Sequence, residues 1–209
     1  MSLIEFVLVC DGSSDSLLIP IITWSLTYHF PHHEFQGGWA DTRQLKKPPK
    51  DLVGRITEGL RLNKSATLLF VHRDAERDEK KTFAERKAEI QKAMKNIKNP
   101  TPYVCVIPVR MMEAWLLFDE QAIRTAAGNP NGKVKLRLPP IKSLESLPDP
   151  KETLYALLRK ASELQGRDLD KFRPQRAIHD ILERIDDFSP LRHLSAFQTL
   201  ESDIRQLEL

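Results

Sequence analysis

Long apolar runs are missing from this sequence: no stretch reaches the ~18 consecutive apolar residues of a membrane-spanning helix, so no helical membrane span is expected. Cysteine is scarce. The two that occur, Cys10 and Cys105, each lie among aliphatic neighbours, a setting for buried reduced thiols rather than a disulfide framework or a zinc knuckle. A dominant sign of charge is missing too: 32 Lys and Arg against 29 Asp and Glu leave a net +3, which permits a polyanionic partner without demanding one. The most basic stretch, residues 41–64, holds Arg43, Lys46, Lys47, Lys50, Arg55, Arg61 and Lys64 against Asp41, Asp51 and Glu58, and reads as a solvated helix and loop. No G-x-S-x-G, G-K-[ST] or Cys/His zinc spacing occurs, so serine-hydrolase and P-loop ATPase readings lack support. The opening MSLIEF carries an acid inside its apolar run and no basic leader, so the expectation is no secretory signal and a cytoplasmic protein.

What is present is the composition of a folded domain: 41% hydrophobic and 29% charged residues over 209 positions can build a core without disulfides. Residues 4–10 (IEFVLVC) are too short for a helix and run straight into DGSSD, which predicts a buried strand entering a turn. Ser13, Ser14 and Asp15 offer helix caps ahead of SLLIPIITWSLTYHF, with Pro20 expected to kink that helix or delay its start. Residues 29–50 contain Pro31, Gly37, Gly38, Pro48 and Pro49 and predict a loop with at most a short strand near Glu34 to Gln36; His29, His32 and His33 are placed in that solvated loop. A helix is predicted over 51–63, a second buried strand at ATLLFVHR, an amphipathic helix from Thr82 to Lys98, and a third strand at YVCVIPVR. MEAWLLFDEQAIRTAAG predicts one continuous helix ended by Gly128.

Strands separated by helices predict an α/β fold with a mostly parallel, Rossmann-like sheet flanked by helices. Residues 1–130 would form that domain, 131–150 a proline-rich connector, and 151–209 a helical C-terminal subdomain or cap with helices near 151–165, 174–187 and 190–207.

Acidic residues follow each apolar run: Asp11 and Asp15 after the first, Asp74, Glu76 and Asp78 after the second, Glu113 after the third. In an open parallel sheet the ligand crevice lies beyond the carboxyl ends of the strands, so these carboxylates can converge from distant parts of the chain. Two carboxylates ~4 Å apart repel by ~4 kcal/mol at an effective dielectric of ~20, which calls for a cation, a shared proton or distance. Hard oxygen donors suit Mg2+ or Mn2+ better than zinc. Asp74 and Glu76 alternate onto one face of an extended chain. Each acid also has an ordinary structural explanation: Asp15 as a cap, Asp11 in an Asx-turn, the 74–78 acids in a charged loop, Glu113 at a helix start. His72 adjoins Asp74 and is expected to face elsewhere, as a candidate general base or substrate contact.

The segments VCDGSSD, FVHRDAE and VRMMEAWLLFD together resemble Toprim-like domains related to the OLD-family nucleases, and in particular a bacterial Toprim-like family of uncertain function. The resemblance covers roughly residues 1–120, with E-A-W-L-L its most specific string. It implies a Toprim-type sheet and a magnesium-dependent nuclease. Asp11 and Asp15 would serve in general acid/base or metal chemistry, and Asp11, Asp15, Asp74, Glu76 and Glu113 as the metal set. Lys151 would be a catalytic phosphate contact. Asp11 stands where that family has Glu, and Glu76 where it has Asp. Such proteins work beside an ATPase in defence against phage or plasmids, so nucleic acid and an ATPase are the partners implied. Two other readings stay open: a catalytically degenerate Toprim-like interaction module, and a small-molecule phosphatase in which Asp11 is the nucleophile, although no acid stands at position 13.

Overall fold

The computed structural model describes residues 2–10, 12, 14–75, 79–98 and 101–209. Four strands form one all-parallel sheet in the order β2-β1-β3-β4, with helices on both sides. β1 (Ser2–Val9) is exposed where it begins and buried where it ends, because its second half is gripped by β2 (His33–Ala40) on one side and β3 (Leu68–His72) on the other. β4 (Tyr103–Val106) completes the sheet beside β3.

Alternation along the strands separates two apolar layers. Val7, Val9, Leu69, Val71 and Cys105 face α2 (Leu52–Leu62) and α3 (Glu79–Met94) through Ile56, Ile90, Ala93 and Met94. Phe6, Leu8, Leu68, Phe70, Val104 and Val106 face a larger core. That core includes α1 (Leu18–His29), α4 (Glu120–Ala126), α5 (Pro150–Ser162), α7 (Pro174–Leu182) and α8 (Ser195–Arg205). The C-terminal helices therefore share one hydrophobic interior with the sheet. Trp115 is fully buried at its centre, edge-on to Phe197 of α8 with ring centroids 5.5 Å apart. α6 (Gly166–Lys171) buries no residue, consistent with its polar sequence.

Several local features follow directly from the residues. Asp51 caps α2 by accepting the Gly54 N–H at 2.7 Å, and Asp149 caps α5 by accepting that of Glu152 at 2.8 Å, ahead of Pro150 at the first helical position. α1 starts late: a 3-10 turn at Ser14–Leu17 precedes it, which leaves Pro20 in the first helical turn. α8 lacks a cap of its own, and Glu145 of the connector supplies one by accepting the N–H groups of Ser195 (3.0 Å) and Ala196 (2.8 Å).

Three expectations are corrected. Residues 33–40 form a full eight-residue strand rather than a loop with a short strand, because β1 supplies a continuous parallel partner from Ser2↔His33 to Val9↔Ala40. The histidines before it are not all in a solvated loop: His29 ends α1 and reaches Glu201, and His33 Nδ1 lies 2.7 Å from Ser2 Oγ. The segment from Met112 is not one helix. A 3-10 turn at Met112–Leu116, buried throughout, gives way to α4, whose N-cap Asp119 accepts the Ala122 N–H at 2.8 Å and so starts a new helix. Among the described residues no helix is long and apolar enough to cross a membrane.

A candidate acidic site at the carboxyl edge of the sheet

The strand order changes direction at β1, which lies between β2 and β3, and in sheets of this kind the crevice beyond the strand ends at such a switch is where ligands bind. Asp11 and Glu76, and Asp78 with them, lie outside the described residues. The other assigned acids gather at this edge.

Asp15 is buried in the turn after β1, where its Oδ2 accepts the Gly12 N–H at 2.7 Å. A Cβ on Gly12 would stand 3.2 Å from both carboxylate oxygens of Asp15, so this close turn favours glycine. His72, the last residue of β3, is 2% exposed and stands between two carboxylates: Nδ1 is 3.3 Å from Asp15 Oδ2, and Nε2 is 3.2 Å from Asp74 Oδ1. Neither ring nitrogen is aligned for a hydrogen bond, so these are charge contacts rather than directed bonds. Burial pushes the imidazole toward neutrality, but Asp15 and Asp74 together outweigh it and raise its pKa to about 9. The ring is therefore a cation at neutral pH. This corrects the expectation that His72 faces away from Asp74.

Asp74 is fixed through its backbone. Arg86 of α3 donates from Nε to the Asp74 carbonyl at 3.2 Å, and the ladder to β4 continues past the strand through an Ala75↔Val109 bridge. Glu113, in the 3-10 turn after β4, is 5% exposed with Lys151 Nζ 3.6 Å from its Oε1. Burial raises the Glu113 pKa, with Asp74 and Asp15 adding to the rise and Lys151 opposing it. The charges of Asp74 and Asp15 thus reach Glu113 across this edge. Lys151 sits in the first turn of α5, so the helical part of the chain contributes to this edge. Arg43 lies on the same rim, gripping Asp41 with Nε at 2.9 Å and Nη2 at 3.2 Å, and its charge reaches Asp15.

Among the described residues no three His, Cys, Asp or Glu side chains form a metal cage. In this arrangement an imidazole ring separates Asp15 from Asp74. The donor chemistry still suits a hard cation: among the described residues the buried Asp74 Oδ1 has no hydrogen-bond donor, and Glu113 is an oxygen donor whose burial disfavours its charged form. The thiols of Cys10 and Cys105 are buried and pushed up to about 12 and about 11, mainly by burial, so both are inert at neutral pH. A cleft of about 610 Å3 between Leu45, Lys46, Lys47 and the α2 residues Gly54, Thr57 and Glu58 shares no residue with the acids.

Sequence reasoning missed the bridging position of His72. The signal was available, since residues 72 and 74 have the same parity in an extended chain and so address the same face. Compared with family models, curated proteins and solved structures, the chain matches none.

Proposed function

We propose that this protein is a magnesium- or manganese-dependent phosphodiester hydrolase acting on nucleic acid. The observation that carries the reading is the gathering of Asp15, His72, Asp74 and Glu113 at the carboxyl edge of a parallel sheet, beside its switch point. Asp74 and Glu113 would hold the metal, together with Asp11, Asp15 and Glu76 as the sequence assigns them. When bound, such an ion supplies Lewis acidity toward the phosphoryl oxygens and a more acidic water.

The chain's own groups have definable parts. Asp15, tied to Gly12, holds His72 from its Nδ1 side and leaves Nε2 toward Asp74. The resulting imidazolium places a fixed positive charge behind Asp74 and can hold or release a proton there, but it cannot accept one at neutral pH. Lys151 balances Glu113 and extends a half-exposed ammonium where a phosphate would approach. The sequence resemblance supports this reading and adds an ATPase partner in defence as a further proposal.

The test is cleavage of plasmid DNA, oligonucleotides and RNA with Mg2+, Mn2+ or chelator. Metal-dependent cutting is expected, with Asp74→Ala abolishing it in a chain that stays folded by circular dichroism, at a melting temperature lowered by the loss of one partner of His72. Undiminished cutting by that variant would refute the assignment. A second reading, a noncatalytic interaction module on the same sheet, is favoured by the imidazole that fills the space between Asp15 and Asp74. Titration calorimetry separates the two: the module predicts no heat with Mg2+ or Mn2+ and no thermal stabilisation.

A further inference from the structure

Arg110 lies between the end of β4 and Glu113, with its backbone in the left-handed region at φ 65°, which a residue with a side chain adopts only at a cost. The fold holds it there. Its N–H donates to the Ala75 carbonyl at 2.7 Å, directly after Asp74, and the Met111 N–H donates to the Val109 carbonyl at 3.0 Å. Glycine or asparagine would take this conformation with little strain, yet the position carries a long cation. The side chain is half-buried. Its Nε is enclosed, and among the described residues it has no hydrogen-bond acceptor. Arg110 is also not what balances the buried acid of this edge, because Lys151 is the cation beside Glu113.

A strained backbone and an enclosed N–H without an acceptor both disfavour the folded chain, and strain of this kind collects at ligand-binding positions. The guanidinium is the side chain best matched to a phosphate, through paired N–H donors in a fixed fork. We infer that Arg110 is a phosphate-binding residue, the receptor for a phosphodiester group brought to the edge that carries Asp74 and Glu113. The identity of the ligand as a nucleic-acid phosphate rests on the proposed hydrolase activity. The anion-binding role of Arg110 does not.

The experiment uses the full chain in chelator, so that binding is read without turnover, with two probes: a fluorescent single-stranded 20-mer followed by anisotropy, and inorganic phosphate followed by 31P NMR line broadening. Arg110→Gly and Arg110→Asn fit the left-handed backbone, and Arg110→Lys keeps the charge without the fork. The glycine and asparagine variants are expected to melt at or above the wild-type temperature. They should bind the 20-mer about ten-fold or more weakly, with a salt dependence shallower by ~0.7 in log–log slope, and should leave the phosphate line sharp. Arg110→Lys should fall between them and wild type. If the wild-type chain broadens phosphate through Arg110 but does not bind the oligonucleotide, the residue assignment stands and the nucleic-acid reading fails. The inference is overturned if the glycine and asparagine variants bind like wild type, if the wild-type chain binds neither probe, or if both variants melt well below it, which would make Arg110 a structural brace.

Discussion

Removing or deprotonating His72 tests the electrostatics of the edge most directly. The wholly buried imidazole has its pKa raised from 6.5 to about 9 by Asp15 and Asp74, a preference for the charged form in the folded state of about 3 kcal/mol. Because the folded chain holds this proton more tightly than the unfolded chain, the stabilisation is complete below pH 6.5 and is lost as pH rises through about 9. Urea unfolding in chelator, followed by tryptophan fluorescence at pH 6, 7, 8 and 9, should show stability falling across that window by about 3 kcal/mol. The two cysteine thiols also oppose stability as pH rises, since both are raised in the fold, but they act chiefly above about pH 9, where an unfolded thiol ionises. His72→Gln isolates the imidazole by subtraction: its stability should be nearly flat from pH 6.5 to 9. A wild-type curve that is flat or rising over this range, or a His72→Gln curve with the same slope, would refute the charge bridge between Asp15 and Asp74.

Two further outcomes test the packing. A Cβ on Gly37 would meet Phe6 Cζ at 2.5 Å and Ile19 Cγ2 at 2.6 Å, so Gly37→Ala should lower unfolding free energy by about 1–3 kcal/mol; an unchanged melting temperature would contradict the close approach of β2 to the core. Glu201 is buried between His29 (3.0 Å) and Arg192 (2.8 Å), and Arg192 also stacks 4.0 Å from the Tyr28 ring centroid. Glu201→Ala should cost about 2 kcal/mol by chemical denaturation, less than for a fully buried pair because Arg192 is partly exposed. Burial pushes the Glu201 pKa up, but Arg192 and His29 push it below the usual carboxylate value, so its contribution is present above about pH 4.5 and lost as pH falls further. A wild-type and a variant chain equally stable at pH 7 would dismiss this network.

The sheet was legible because β1, β3 and β4 are each a short apolar run ending in a turn or an acid, a pattern that one buried layer explains. β2 was not. Its Gly37, Gly38 and flanking histidines look like loop chemistry, and what makes it a strand is the eight-residue partner in β1 together with the missing Cβ that lets Phe6 and Ile19 close over Gly37. The break before α4 was hidden for a different reason. Residues 112–117 are all buried, so their apolar run continues the pattern of the following helix and only the capping carboxylate of Asp119 marks the new start. At the edge itself, the acids were visible as punctuation after strands. Of the cation between them, only the side facing Asp74 was open to a parity argument; its pairing with Asp15 was not, because that depends on the fold of the Gly12 turn rather than on any spacing between the two residues.

Lys151 reaches Glu113 from a helix whose starting point is some twenty residues beyond the sheet domain, and Trp115 rests on Phe197 near the far end of the chain. Glu113 and its counter-charge thus come from opposite halves of the polypeptide. A fragment ending ahead of Pro150 would leave Glu113 buried without its cation and strip Trp115 of the Phe197 ring it packs on. The two halves are accordingly one machine part, and neither could be transplanted into another protein without carrying the other along.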